Sequence, residues 1–244
     1  MTTDGFEPAA MLAEINEATA QVLASAERLS AEHLAGPSLL PGWSRGHVLT
    51  HLARNADALT NLLNWARTGI PTPMYPPGDA RDRAIEEGAG RPPQEQLTDL
   101  YDASTRFDRA FTAMTPTAWG AKVTARNAGE IAATTLPGKR LRELYIHHVD
   151  LDAGWTPAHW PTEYADRELN EVAASFRGRP DCPPLLLRDD ITHRELLIGP
   201  EGVAPAAVVS GRRQSLLAWL IGRANGDGLS VEPAGPLPTP PAWT

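Results

Sequence analysis

A glutamate and a histidine stand one helical turn apart in the middle of the chain. Glu143 and His147 are four residues apart, so on a helix both side chains project from the same face. An earlier apolar segment carries His51, with a further histidine, His47, four residues before it. If the two helices face each other, His51, Glu143 and His147 form a three-ligand site with an open coordination position, which is the pattern of catalytic zinc.

Other arrangements of these side chains are compatible with the spacing. His47 and His51 are also four residues apart and could hold a metal together with a carboxylate from elsewhere. His148 points about 100° away from His147 around a helix, so both cannot easily bind one ion. Asp150 follows His147 by about one turn and could orient that imidazole through its second ring nitrogen, or lie solvated at the helix end.

Four amphipathic segments predict the helices that must position this site. Their apolar residues recur mostly every three or four positions, which is typical of helices that pack on one face. The predicted helices are residues 8–34, 44–68 with Ser44 as N-cap, 93–114 and 138–153. A shorter helix is predicted at 79–87, and extended structure within 119–136. Residues 1–154 are therefore predicted to form a four-helix bundle that binds a metal.

The composition of the chain changes at residues 154–161, where two prolines and two tryptophans exclude a continuous helix. We place a domain boundary there. Beyond it, a helix is predicted at 163–177, short apolar runs at 185–187, 196–198 and 207–209, and an apolar helix at 214–223. This mixture predicts a small α/β domain over residues 155–244, so the predicted fold class of the whole chain is α+β.

The overall charge and the cysteine content limit the partners and the compartment. The chain has 22 Lys and Arg against 30 Asp and Glu, and the formal net charge of −8 disfavours nucleic acid and anionic membranes as partners. The single cysteine, Cys182, cannot form an internal disulfide or a multi-cysteine metal site. We expect neither a signal peptide nor a membrane span from the sequence, and we expect a cytoplasmic monomer.

Several longer segments share the pattern of one known family. They are Leu-Pro-Gly-Trp-Ser at 40–44, Leu-Asn-Trp-Ala-Arg-Thr-Gly at 63–69, Thr-Pro-Met-Tyr at 72–75, Arg-Glu-Leu-Tyr-Ile-His-His-Val-Asp-Leu at 142–151, Trp-Leu-Ile-Gly-Arg at 219–223 and Pro-Pro-Ala-Trp at 240–243. Together they resemble the mycothiol-dependent maleylpyruvate isomerases of actinobacteria. The resemblance implies a DinB-like four-helix bundle followed by a small C-terminal α/β domain. The DinB-like superfamily binds metals and includes proteins of diverse activities.

The same resemblance implies an activity and a set of site residues. His51, Glu143 and His147 are implied to be the zinc ligands, and Arg223 a catalytic residue supplied by the C-terminal domain. The implied reaction converts maleylpyruvate to fumarylpyruvate in gentisate catabolism, with zinc and mycothiol as cofactors. A zinc-bound thiolate adds to the double bond, the bond rotates, and the thiolate leaves. In this scheme Arg223 holds a substrate carboxylate or stabilises the enolate. The resemblance identifies no residues that bind mycothiol.

Two further functions are kept as alternatives. A mycothiol S-transferase would use the same site on other electrophiles and release the adduct, whereas a non-catalytic bundle would use the metal only to hold helices together. Structural zinc sites usually have four protein ligands, which disfavours the second alternative. Arg223 could also be an ordinary arginine beside a glycine turn at a helix end.

Five other positions carry further hypotheses. Met74 and Tyr75 could line the site or simply pack in a proline-rich loop, and Arg81 and Arg83 could meet an anion. His148 departs from the family pattern, in which a small residue is expected at that position.

Overall fold

The computed structural model describes residues 6–126 and 128–243. It divides into two compact units, Met1–Trp155 and Thr156–Thr244. None of the helices in the described residues is both long enough and apolar enough to cross a membrane.

The first unit is mainly helical. Its helices are α1 (Pro8–Ala26), α2 (Ala31–Ala35), α3 (Arg45–Thr68), α4 (Ala80–Ala89), α5 (Pro93–Thr112), α6 (Pro116–Trp119) and α7 (Leu136–Asp150), and its two strands are β1 (Lys122–Ala125) and β2 (Gly129–Ala132). The strands pair as an antiparallel hairpin, within the segment predicted to be extended. The long helices α1, α3, α5 and α7 pack on one another as the predicted four-helix bundle, with α3 in contact with both α5 and α7.

Helix α3 forms the centre of this bundle. Ser44 caps its N-terminus, because the Ser44 side chain accepts a hydrogen bond from the backbone N–H of His47 while the His47 side chain accepts from the backbone N–H of Ser44. Gly69 ends the helix in the left-handed conformation, with φ of 73°. Apolar side chains such as Leu52 and Leu59 are fully buried along it, and each contributes roughly 1.5–3 kcal/mol to folding. His51 is carried into the interior by the same packing.

The predicted first helix, residues 8–34, is wrong in its length. Helix α1 ends at Ala26, and a separate helix, α2, begins after Ser30. Ser30 has extended backbone angles and its side chain accepts a hydrogen bond from the backbone N–H of His33, so it starts a new helix instead of continuing the old one. Apolar periodicity alone does not reveal such a break, because the apolar residues on both sides keep the same spacing.

The second unit combines a mixed sheet with two helices. Its elements are α8 (Thr162–Phe176), β3 (Leu185–Asp189), β4 (Glu195–Ile198), β5 (Ala207–Gly211), α9 (Arg213–Leu220) and β6 (Ser230–Glu232). The strand order is β4-β3-β5-β6, and β3 and β5 are parallel while the outer pairs are antiparallel. Helices α8 and α9 pack together. A helical first unit followed by a unit with a sheet confirms the α+β fold class predicted from the sequence.

Candidate metal centre

Three side chains from two helices converge inside the first unit. His51 comes from α3, and Glu143 and His147 come from successive turns of α7. The Oε2 atom of Glu143 lies 2.8 Å from Nε2 of His51 and 3.2 Å from Nε2 of His147. One ligand atom from each residue lies within 4.8 Å of the other two, and within the described residues this is the one group of three such side chains that could hold a metal ion. The structure thus brings together one of the two ligand sets that the spacing allowed, His51 with Glu143 and His147.

The imidazole rings of this cluster are held in different planes. The rings of His51 and His147 are nearly perpendicular, at 87°, with centroids 4.6 Å apart. Trp43, just before the N-cap of α3, places its ring against His51 with centroids 5.5 Å apart. His51 is buried, whereas the Glu143 side chain is about 29% exposed, so the cluster opens on the side of the carboxylate.

A buried carboxylate orients His147. The Nδ1 atom of His147 lies 2.8 Å from Oδ2 of Asp150, and the Asp150 side chain is only 1% exposed. Asp150 is therefore not a solvated carboxylate at the helix end. Because this contact holds the proton on Nδ1, Nε2 of His147 is the ring atom that faces Glu143, as in metal sites where a carboxylate supports a histidine ligand.

The cluster perturbs the protonation of its own members. Burial lowers the pKa of His147, but the hydrogen bonds to Asp150 and Glu143 outweigh it and raise that pKa to about 9. Burial acts to raise the pKa of Glu143, but its hydrogen bonds from His147 and His51 bring that pKa well below its ordinary value. Burial lowers the pKa of His51. Without a metal, the cluster therefore holds a carboxylate beside an imidazolium and a neutral imidazole.

His47 lies outside this cluster. Its Nδ1 atom lies 3.2 Å from the backbone nitrogen and 2.7 Å from the hydroxyl oxygen of Ser44, and its Nε2 atom lies 3.1 Å from Oε2 of Glu86. Both ring nitrogens are thus engaged, Nδ1 in capping α3 and Nε2 in a contact with Glu86 of α4. This arrangement does not support the alternative pairing of His47 with His51 as metal ligands.

A cavity of about 370 Å³ opens beside the cluster. It is lined by His51, Glu143, Asn55, Met74, Tyr75, Arg81, Asp82 and Arg126. The structure thus brings Met74, Tyr75 and Arg81 to the site. It leaves Arg83 outside, because that side chain is 62% exposed and pairs with Asp79.

Comparison with known proteins connects this site to a family. Residues 15–152 match the family described as Mycothiol maleylpyruvate isomerase N-terminal domain, and residues 159–242 match the MDMPI C-terminal domain. The chain belongs to the mycothiol maleylpyruvate isomerase family. The resemblance seen in the sequence is thereby confirmed, and the chain is a member of an enzyme family.

Solved structures agree with this membership of the mycothiol maleylpyruvate isomerase family. The crystal structure of the mycothiol-dependent maleylpyruvate isomerase is 28% identical, with a TM-score of 0.87 over 97% of each chain. A mutant of that enzyme with a histidine replaced by alanine is likewise 28% identical, with a TM-score of 0.86 over 97% of each chain. None of the curated proteins is similar enough in sequence to count as a match.

Arg223, which the family resemblance selects, lies in the second unit just after α9. Gly222 adopts a left-handed φ of 72°, and the backbone N–H of Arg223 donates to the Ala218 carbonyl at 2.7 Å, which closes the helix as a Schellman motif. The helix predicted to continue to residue 223 therefore stops at Leu220. The Arg223 side chain lines a cavity of about 460 Å³ together with Trp219 and the proline-rich tail.

Two other residues singled out in the sequence are core residues. His148 is buried, with Nε2 2.8 Å from the Ser25 hydroxyl of α1 and its ring stacked on Trp155 at 4.2 Å. It thus contacts groups outside the metal cluster. Cys182 is also buried, and burial raises the pKa of its thiol, so the thiol stays protonated at neutral pH and is a poor nucleophile.

The sequence did not identify three residues of the cavity, Asn55, Asp82 and Arg126. Asn55 lies one helical turn after His51 on α3, so the four-residue spacing predicts that both side chains lie on the same face of the helix. Arg126 lies in the turn between β1 and β2, where no periodicity connects it to the helices of the site. Its position depends on how the hairpin packs, which the sequence pattern does not encode.

Proposed function

We propose that this chain is a zinc- and mycothiol-dependent isomerase that converts maleylpyruvate to fumarylpyruvate in gentisate catabolism. The observation that carries the proposal is the cluster of His51, Glu143 and His147, set in a chain whose whole length matches an enzyme of this name. The proposed partners are a small-molecule substrate and a low-molecular-weight thiol, and the proposed setting is a cytoplasmic monomer.

The donor set fits zinc. Two imidazole nitrogens and one carboxylate oxygen are common zinc ligands, and three protein ligands leave one coordination position for an exogenous group. His51, Glu143 and His147 would hold the ion. Zinc bound there would keep a coordinated thiol ionised at neutral pH, which is the chemistry that a thiol-dependent isomerase needs.

The chain's own residues supply the remaining functions. Asp150 fixes the ring orientation of His147, so that Nε2 faces the ion site. We assign Arg223 the role that the family resemblance implies, which is to hold a substrate carboxylate or to stabilise negative charge on the enolate oxygen. The overall reaction turns a cis double bond into a trans double bond without net redox change or hydrolysis.

The test is the absorbance of maleylpyruvate mixed with the purified protein, with and without mycothiol. We expect conversion to fumarylpyruvate only when mycothiol is present, with the thiol recovered unchanged. Accumulation of a stable thiol adduct, detected by mass spectrometry, would indicate the S-transferase instead. No change in absorbance under either condition would contradict the proposed activity.

In the same assay, Arg223→Lys should lower turnover while zinc content and mycothiol affinity remain at the wild-type level. Lysine keeps the positive charge but loses the planar fork that pairs with a carboxylate. The expected loss is about 2 kcal/mol of transition-state stabilisation, comparable with removing one preorganised donor. Steady-state kinetics, with calorimetry of mycothiol binding, measures both properties. Unchanged turnover would remove Arg223 from the mechanism.

Zinc affinity should depend on pH because of the proton on His147. The pKa of about 9 means that, in the metal-free protein, Nε2 of His147 is protonated at neutral pH and must lose that proton to bind zinc. The apparent affinity should therefore rise roughly tenfold per pH unit below pH 9 and then level off. Competition with a chromophoric chelator between pH 6 and 8 measures the slope. In Asp150→Asn, the dependence of zinc affinity on pH should be weaker, because this change removes a carboxylate that raises the pKa of His147.

A further inference from the structure

Two arginines lie close to one aromatic ring in the lining of the cavity beside the three clustered side chains. The guanidinium carbon of Arg81 lies 5.9 Å from the centroid of the Tyr75 ring, and that of Arg126 lies at the same distance. Arg81 comes from α4, whereas Arg126 comes from the hairpin turn between β1 and β2. Elements that are distant in sequence thus bring two cations to the lining of one cavity.

The segments that carry Tyr75 and Arg126 are held by contacts with α3 and with each other. The side-chain amide of Asn61, on α3, donates to the backbone carbonyl of Pro73 at 3.2 Å, which holds the loop that carries Met74 and Tyr75. The backbone N–H of Arg126 in turn contacts the Met74 sulfur at 3.2 Å. Tyr75 and Arg126 are therefore positioned by contacts formed before any ligand binds, as preorganised binding sites require.

The positive charge of the pair is only partly compensated. Arg126 forms no ion pair within the part of the chain that the structure describes, residues 6–126 and 128–243. Arg81 donates to Asp82 at 2.8 Å, but the Asp82 side chain is 62% exposed and its charge is screened by water. The remaining carboxylate of the cavity, Glu143, is engaged by the two histidines of the cluster. An anion in the cavity would therefore meet a net positive charge.

Arg81 also contacts a proposed metal ligand. Its Nη2 atom lies 3.2 Å from Nδ1 of His51. A guanidinium only donates hydrogen bonds, so this contact requires an Nδ1 atom without a proton. When Nε2 of His51 is the ligand atom, the ring proton resides on Nδ1. In that state Arg81 loses its acceptor on His51, and its Nη2 donors become available to a ligand in the cavity.

We propose that Arg81 and Arg126 together form a carboxylate-binding site, which takes one end of a short unsaturated di-acid in the cavity. Guanidinium groups pair with carboxylates through two parallel hydrogen bonds, and Tyr75, which also lines the cavity, supplies apolar ring surface for the carbon skeleton. The site deepens the proposed function and rests on it for the class of substrate. It would select substrates that carry a carboxylate over neutral electrophiles of the same size.

The test is a calorimetric titration of the zinc-loaded full-length protein with maleate, in the absence of any thiol. Arg126→Gln and Arg81→Gln should each weaken maleate binding at least about tenfold, since a lost charge-assisted hydrogen bond corresponds to roughly that factor. Arg83→Gln is the matched control, because Arg83 lies on the same helix as Arg81, is exposed and does not line the cavity. It should bind maleate like the wild type.

Zinc content and circular dichroism of every variant accompany the titration. Arg126 has no contact with the three clustered side chains among the interactions of the described residues, so Arg126→Gln should keep the metal. Wild-type affinity for maleate in Arg126→Gln, or no maleate binding by the wild-type protein, would overturn the carboxylate site. Failure of the isomerase assay would contradict the proposed function without changing the outcome of this titration.

Discussion

Replacement of His51, Glu143 or His147 with alanine should remove the bound zinc and reduce isomerisation to the background rate. Each residue is one of the three proposed ligands, and two ligands hold zinc far more weakly than three. Elemental analysis of the purified proteins should give about one zinc per chain for the wild type and close to none for the three variants. The activity assay described above should follow the metal content.

His47→Ala is the matched control for this experiment. His47 lies on α3 one turn before His51, but its ring nitrogens contact Ser44 and Glu86 instead of the cluster. The variant should have a free energy of unfolding about 1 kcal/mol lower than the wild type, because it loses a cap of α3, and it should retain its zinc. Full zinc occupancy in any of the three ligand variants, or metal loss in His47→Ala, would show that the ion is bound elsewhere.

The helices, and the shared face of Glu143 and His147, could be predicted from the sequence because both depend on local spacing. Glu143 and His147 had to share a face once the segment was helical, and His51 had to face the bundle because Leu52 and its apolar neighbours do. The choice between His47 and His51 was not decided by spacing. It follows from the tertiary structure, in which the ring of His47 turns back to cap its own helix.

The walls of the cavity were harder to predict for a different reason. Tyr75 and Arg126 lie in a loop and a hairpin turn, and their positions depend on contacts between segments about fifty residues apart in sequence, such as that of the Arg126 N–H with Met74. The pattern of apolar residues does not predict the break between α1 and α2, because the pattern continues across it. The break depends on one hydrogen bond, from the backbone N–H of His33 to the Ser30 side chain, which caps α2. Loop packing and capping are thus the parts of this fold that periodicity does not report.

A buried arginine, Arg140, connects the helices α3 and α7 near His51 and Glu143. Arg140 lies on α7 one turn before Glu143 and is completely buried. Its Nη1 atom donates to the Leu52 carbonyl at 2.8 Å and to Oδ1 of Asn55 at 2.9 Å, both on α3. Burial lowers its pKa to about 10, against the opposing effect of nearby acidic groups, of which Glu143 is the strongest, so the guanidinium remains charged at neutral pH.

This arginine therefore joins the two helices that carry the proposed zinc ligands. The Leu52 carbonyl follows His51 directly in sequence, so the Arg140 hydrogen bond fixes the backbone of α3 beside one ligand, while α7 carries the other two. The Nη2 atom reaches the Ser104 hydroxyl of α5 at 3.4 Å, which adds a third helix to the network. Breaking such a network lowers stability, because buried acceptors that lose their donor are left without a hydrogen-bond partner.

Arg140→Ala should lower the free energy of unfolding of the first unit by about 3–5 kcal/mol, because it leaves a cavity and buried acceptors on Leu52 and Asn55 without their donor. Urea denaturation followed by the helical circular dichroism signal measures this change. Arg109→Ala, an exposed arginine on α5, is the control and should stay within about 0.5 kcal/mol of the wild type. Because the network fixes α3 beside His51, zinc should also dissociate more readily from the folded Arg140→Ala protein. Wild-type stability and zinc affinity in this variant would show that the metal centre is positioned independently of Arg140.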